Sequence, residues 1–100
     1  MPPQELVDVD PRTLHLPNSR RDGADPAKLQ RQVARYGRSI QGMPPLWAYR
    51  GSDDALMLTD GVTRATRIAK LLPGELIPVE IIGDLSTPGA SYPTVEEKLP

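Results

Sequence analysis

The sequence predicts a single α/β domain of the α+β kind, a small mixed sheet carrying a hairpin and two principal helices. Three observations lead there. Two stretches, following Asp25-Pro26 and Asp60-Gly61, place apolar residues at helical spacing. Two short apolar runs, Leu46-Trp47-Ala48-Tyr49 and Ala55-Leu56-Met57-Leu58, are separated by the turn residues Gly51-Ser52-Asp53-Asp54, as in a hairpin. A β-branched run, Ile77-Pro78-Val79-Glu80-Ile81-Ile82, closes the set. One hundred residues suit one domain, and with Phe absent the core must come from Leu, Ile, Val and Met.

Taken in order, residues 1–5 are expected to be a flexible N-terminal tail, 6–83 the folded domain and 84–100 a C-terminal tail. Leu6-Val7-Asp8-Val9-Asp10-Pro11 alternates partly and stops at a proline, which suits a first strand. Leu14 and Leu16 flank His15 in the same alternating way, so His15 reads as a surface or half-buried residue rather than a metal ligand. Pro17 to Gly23 is rich in turn residues and carries Arg20 and Arg21 side by side.

Asp25 can cap the first helix, Pro26 suits its first position, and Gly37 is a natural stop. Leu29, Val33 and Tyr36 make its apolar stripe, and Lys28, Arg31 and Arg35 read as an ordinary solvated face. Pro44-Pro45 excludes helix from the connector that follows. In the second helix, Val62 to Leu72, the stripe is Ala65, Ile68, Ala69 and Leu72, and Pro73-Gly74 ends it. Pro78 predicts that its end of the last strand lies at a sheet edge. A helical turn is expected around Val95–Leu99 within the tail.

Composition narrows the function. Without cysteine there is no disulfide, thiolate nucleophile or Cys-based metal site, and one histidine does not make a zinc centre. No apolar run reaches the roughly 20 residues that span a bilayer, and no signal peptide is visible, so a soluble, cytoplasmic domain without membrane partners is expected. The net charge of -1 argues against wholesale nucleic-acid coating, but the charge is uneven. Residues 1–50 hold eight Lys/Arg against five acids, and residues 51–100 hold four against eight.

The most chemically suggestive stretch is Asp60-Gly61-Val62-Thr63-Arg64. A helix that starts at Val62 leaves the N–H groups of Val62, Thr63 and Arg64 without helix partners, at its positive end. Gly61 allows close approach to the backbone, Thr63 adds a hydroxyl, and Arg64 a planar fork, which together suit a phosphate. The competing expectation is that the Asp60 carboxylate caps those N–H groups itself.

The order of these segments, with Asn18-Ser19-Arg20-Arg21 early, Asp60-Gly61-Val62-Thr63-Arg64 after a hairpin and Ile77-Pro78-Val79 at the end, resembles the ParB/sulfiredoxin superfamily, the ParB-like nuclease domain, over roughly residues 6–83. The resemblance implies a pocket for a nucleotide's phosphates formed by Arg20 or Arg21 with Gly61, Val62, Thr63 and Arg64. It implies CTP binding, ATP-dependent chemistry or nucleic-acid cleavage, with a nucleoside triphosphate and Mg2+ as the cofactor to consider. Sulfiredoxins carry Gly-Cys-His-Arg at this turn with the cysteine as nucleophile; Val62 and Thr63 stand there here, which excludes that reaction. Chromosome-partition members carry Gly-Glu-Arg-Arg and further DNA-reading elements for which this chain has no room.

Three functions follow as expectations. The first is a domain that binds a nucleotide or nucleic-acid phosphate. The second is an enzyme on the same scaffold, a phosphodiesterase or nuclease of toxin type or an NTP-dependent kinase. Its general base or metal carboxylate would be Asp60, with Glu80 and Asp22 behind it. The third is a catalytically inactive module that binds a protein partner through the acidic second half and the Pro-rich tail.

Overall fold

The computed structural model describes residues 5–100. Six principal elements follow in order: β1 (Glu5–Val9), α1 (Pro26–Tyr36), β2 (Leu46–Arg50), β3 (Leu56–Asp60), α2 (Val62–Leu71) and β4 (Ile77–Asp84). The strands form one mixed sheet in the order β1-β4-β2-β3, in which β4 runs antiparallel to β1 and parallel to β2, and β2 and β3 form the hairpin. This is an α+β fold with a four-stranded mixed sheet and two helices. No helix among the described residues is long and apolar enough to cross a membrane.

Period-two alternation sends Leu46, Ala48, Ile77 and Val79 to one face of the sheet, where they meet Val62, Ala65, Ile68 and Ala69 of α2. Each fully buried Leu, Ile or Val in that layer contributes about 1.5–3 kcal/mol. Trp47 and Leu6, 48% and 59% exposed, alternate out of that layer. The helix α1 begins as its residues dictate. Asp25 Oδ1 accepts from the Ala27 N–H at 3.3 Å, and Gly37 ends the helix with a φ of 54°. Leu29 is buried, whereas Tyr36, expected on the apolar stripe, is 43% exposed.

Pro78 illustrates a local rule meeting a tertiary one. β4 is an interior strand, not an edge strand. Its ladder to β2 begins at Val79, so at Pro78 the only paired neighbour is Asp8 of β1, and the missing N–H is accommodated there.

The segment 84–100 is not a free tail. Val95 is 1% exposed within the main core. Its N–H donates to Leu14 O at 2.8 Å, and the Leu16 N–H donates to Pro93 O at 2.7 Å. On its other side the 14–16 segment bonds β3, from His15 N to Leu56 O and from Leu58 N to His15 O, both at 2.9 Å. Half-buried His15 donates from Nδ1 to Tyr92 O at 2.6 Å, a structural bond. Asp53 holds the segment from the hairpin turn, accepting from Gly89 and Ala90 N–H at 2.9 and 3.1 Å. Clustered proline and glycine suggested a tail; the strand-like stretch at 14–16, with Leu14 and Leu16 buried in the core, supplies the partner that orders it. The helical turn is present at Glu96–Lys98. Of the expected N-terminal tail, residues 1–4 lie outside the described residues, and Glu5 begins β1.

Candidate phosphate-binding site

The chain passes from β3 into α2 through one residue. Gly61 has a φ of 93°, in the left-handed region that disfavours any residue with a Cβ. A Cβ there would collide with Leu46 Cδ2 and lie 3.0 Å from Arg64 Nη2. Gly61 is itself the N-cap of α2, and no side chain caps the helix. The expectation that Asp60 does so is therefore not met. Its carboxylate turns instead toward Arg64, Oδ2 to Nη2 at 3.5 Å, and remains 64% exposed. The first intrahelical bond is Ala65 N to Gly61 O at 2.8 Å, which leaves the N–H groups of Val62, Thr63 and Arg64 directed out of the helix start.

That helix start opens onto a hollow of about 370 Å³. Thr63 and Arg64 line it, and so do Arg20 from the short turn Asn18–Arg20 and Lys28 from α1. Asp60 is the one acid among the described residues of its lining. The positive end of α2 and three cationic side chains thus face one space. Arg64 is anchored at its border, donating from Nη1 to Pro44 O at 3.0 Å in the adjoining hollow that Arg67 also lines. Its other contact, with Asp60, is long and solvent-facing, so the fork can be taken over by a stronger anion.

The other anticipated residues separate. Val62 lines the hollow, but its side chain is 7% exposed and belongs to the core, so it offers its N–H alone. Arg21 is directed away. It lines a different hollow of about 360 Å³, together with Asp22, Tyr92 and Lys98. The turn at Asn18–Arg20 rotates successive side chains apart, and adjacency in sequence concealed this. Asp22 goes with Arg21, and Glu80 stands on β4 opposite Leu6 and Trp47, outside the hollow. Among the described residues no group of three or more His, Cys, Asp or Glu side chains is arranged to hold a metal ion.

Sequence reasoning missed Lys28 and Gln32. They lie four apart on α1 and share the face turned to the hollow. It also missed Arg67, which is 1% exposed although it is a cation without a carboxylate partner among the described residues. Its Nη1 donates to Gly37 O and Ser39 O at 2.7 and 2.9 Å, Nη2 reaches Met43 Sδ at 3.8 Å, and Nε has no partner. Burial lowers its pKa below the ordinary arginine value. Arg67 thereby fastens the 37–43 connector to α2, next to the Pro44 carbonyl that Arg64 holds. No protein-family model and no curated protein matches the chain.

Proposed function

We propose that this domain binds the phosphate of a nucleotide or nucleic acid at the Gly61–Arg64 turn. One observation carries the reading: the start of α2 has no capping side chain and opens onto a hollow that also receives Arg20, Lys28 and Arg64. Backbone N–H groups at a helix N-terminus and guanidinium forks are the donors that phosphate oxygens take. The resemblance to the ParB/sulfiredoxin superfamily points the same way and designates the same turn. Asp60 would share a Mg2+ ion with the phosphates of a nucleoside triphosphate, since Mg2+ is commonly held by one or two carboxylates plus phosphate oxygens.

Binding is preferred to hydrolysis because Asp60 is the one carboxylate in the lining, and two-metal hydrolysis uses more. The test is titration of the isotope-labelled chain with CTP, ATP, GTP and a short single-stranded DNA, each with Mg2+. Shifts of the Gly61, Val62, Thr63 and Arg64 amides are expected, with affinity at least tenfold weaker in Arg64→Ala. Absence of shifts at millimolar ligand, or an Arg64→Ala chain that binds as tightly as the parent, refutes the assignment.

A further inference from the structure

The phosphate hollow does not end at the α2 turn. A second hollow of about 330 Å³ runs along α1 and shares Lys28, Gln32 and Thr63 with the first, so the two form one trough. Its remaining walls are Arg31, Arg35 and Tyr36, and among the described residues no acid lines it. Positions 28, 31, 32, 35 and 36 follow the spacing i, i+3, i+4, i+7, i+8, which is one face of a helix. What reads in sequence as a solvated charged face is thus the wall of a groove. Lys28 to Tyr36 covers about 12 Å at 1.5 Å per residue. Arg20, Lys28, Arg31 and Arg35 make no ion pair among the described residues, although the chain as a whole is slightly acidic.

The far end of the trough carries an aromatic ring. Tyr36 is 43% exposed, with Arg35 Cζ 5.3 Å and the buried Arg67 Cζ 5.4 Å from its centroid. Arg67 is fixed by the connector carbonyls, whereas Arg35 is held by the ring and by no carboxylate. A phosphate can draw Arg35 away and leave the ring face to a base. A row of unpaired cations tracking one groove, with an exposed aromatic at its end, is the arrangement that takes a single polynucleotide strand. The cations follow the backbone and the ring stacks a base of any identity.

We propose that the trough from Arg20 to Tyr36 binds single-stranded nucleic acid, with one phosphate on the α2 turn and the strand continuing along α1 to stack on Tyr36. This rests on the phosphate site proposed above and extends it from a mononucleotide to a chain of nucleotides. An acidic peptide would use the cations but has no need of the ring, and a duplex does not offer a free base to it.

The experiment follows fluorescence anisotropy of labelled dT2, dT8 and rU8 with the full chain at several salt concentrations. It is paired with amide shifts for dTTP and UTP. The expected result is that the eight-nucleotide strands bind at least tenfold tighter than dT2 and the mononucleotides. Comparison of dT8 with rU8 then says which sugar is preferred. Arg31→Ala/Arg35→Ala is expected to weaken the long strands at least tenfold and to reduce the slope of log K against log salt by about 1.4. It should leave mononucleotide binding unchanged. Tyr36→Leu is expected to cost about tenfold on the long strands while Tyr36→Phe costs little; circular dichroism of each variant checks the fold. Equal affinity for dT2 and dT8, with shifts at Gly61–Arg64 intact, overturns the extended trough but leaves the phosphate site standing. Tighter binding of a duplex, or of poly-glutamate without any effect of Tyr36→Leu, also overturns it. No binding of any nucleotide or strand overturns both proposals.

Discussion

Replacing Arg67 by methionine tests what a buried cation without a carboxylate does for this fold. The side chain is 1% exposed and its Nη1 donates to two carbonyls, those of Gly37 and Ser39, at 2.7 and 2.9 Å. Hydrogen bonds from a charged donor contribute about 1.5–3 kcal/mol each, so the gross loss is roughly 3–6 kcal/mol. Against this, the parent bears a desolvation cost for the guanidinium of several kcal/mol, which methionine removes while filling much of the same volume. Ser39 is exposed and Gly37 half-buried, so water can satisfy their carbonyls in the variant. The net expectation is a destabilisation of about 2 kcal/mol, or a fall in Tm of roughly 8–16 °C for a domain of this size. Urea unfolding followed by circular dichroism measures it. Faster amide exchange across residues 39–43 should accompany the loss, because Arg67 is what fastens that connector. Arg67→Lys should recover only part, since an ammonium lacks the planar fork that reaches two acceptors. A methionine variant as stable as the parent, or more so, would show that desolvation outweighs the bonds and that the connector is held by other contacts.

Two other outcomes probe the turn and the C-terminal segment. Gly61→Ala must place a Cβ at a φ of 93° and against Leu46. It should cost about 2–3 kcal/mol from left-handed strain plus overpacking; a urea midpoint equal to the parent's would mean the chain turns there in another way. For Asp53, burial raises the pKa, but the N–H groups of Gly89, Ala90 and Ala55 outweigh it and hold the carboxyl below its ordinary value. A depressed folded pKa means stability that is present above the unfolded value and lost as pH falls through the folded one, here below about 3.9. Asp53→Asn should therefore be less stable than the parent at pH 7, with a gap that narrows below pH 4 and with looser protection of residues 89–95; a gap constant from pH 7 to pH 2.5 would contradict the reasoning.

Much of this protein was legible before any coordinates. Asp25-Pro26 and Gly37 bound α1, the four turn residues at 51–54 join the hairpin, and Asp60-Gly61 leads into α2, because capping, proline and glycine chemistry act over a few residues. The Gly61–Arg64 corner was visible for the same reason. Other features depended on which surfaces meet. Adjacent Arg20 and Arg21 were equivalent in sequence, yet a short helical turn sends one to the hollow at the start of α2 and the other to the C-terminal segment. Whether Asp60 or Gly61 caps α2 turned on the φ of a single residue. The 84–100 segment lacks a hydrophobic pattern of its own and is ordered by Leu14, Leu16 and Asp53, contacts made across most of the chain. Arg67 follows the helical period of an exposed position, but the connector after α1 folds over it. The cations of α1 show the division most clearly. Their charge and spacing are set by the sequence, and only the packing of α1 beside the start of α2 makes them the wall of a trough.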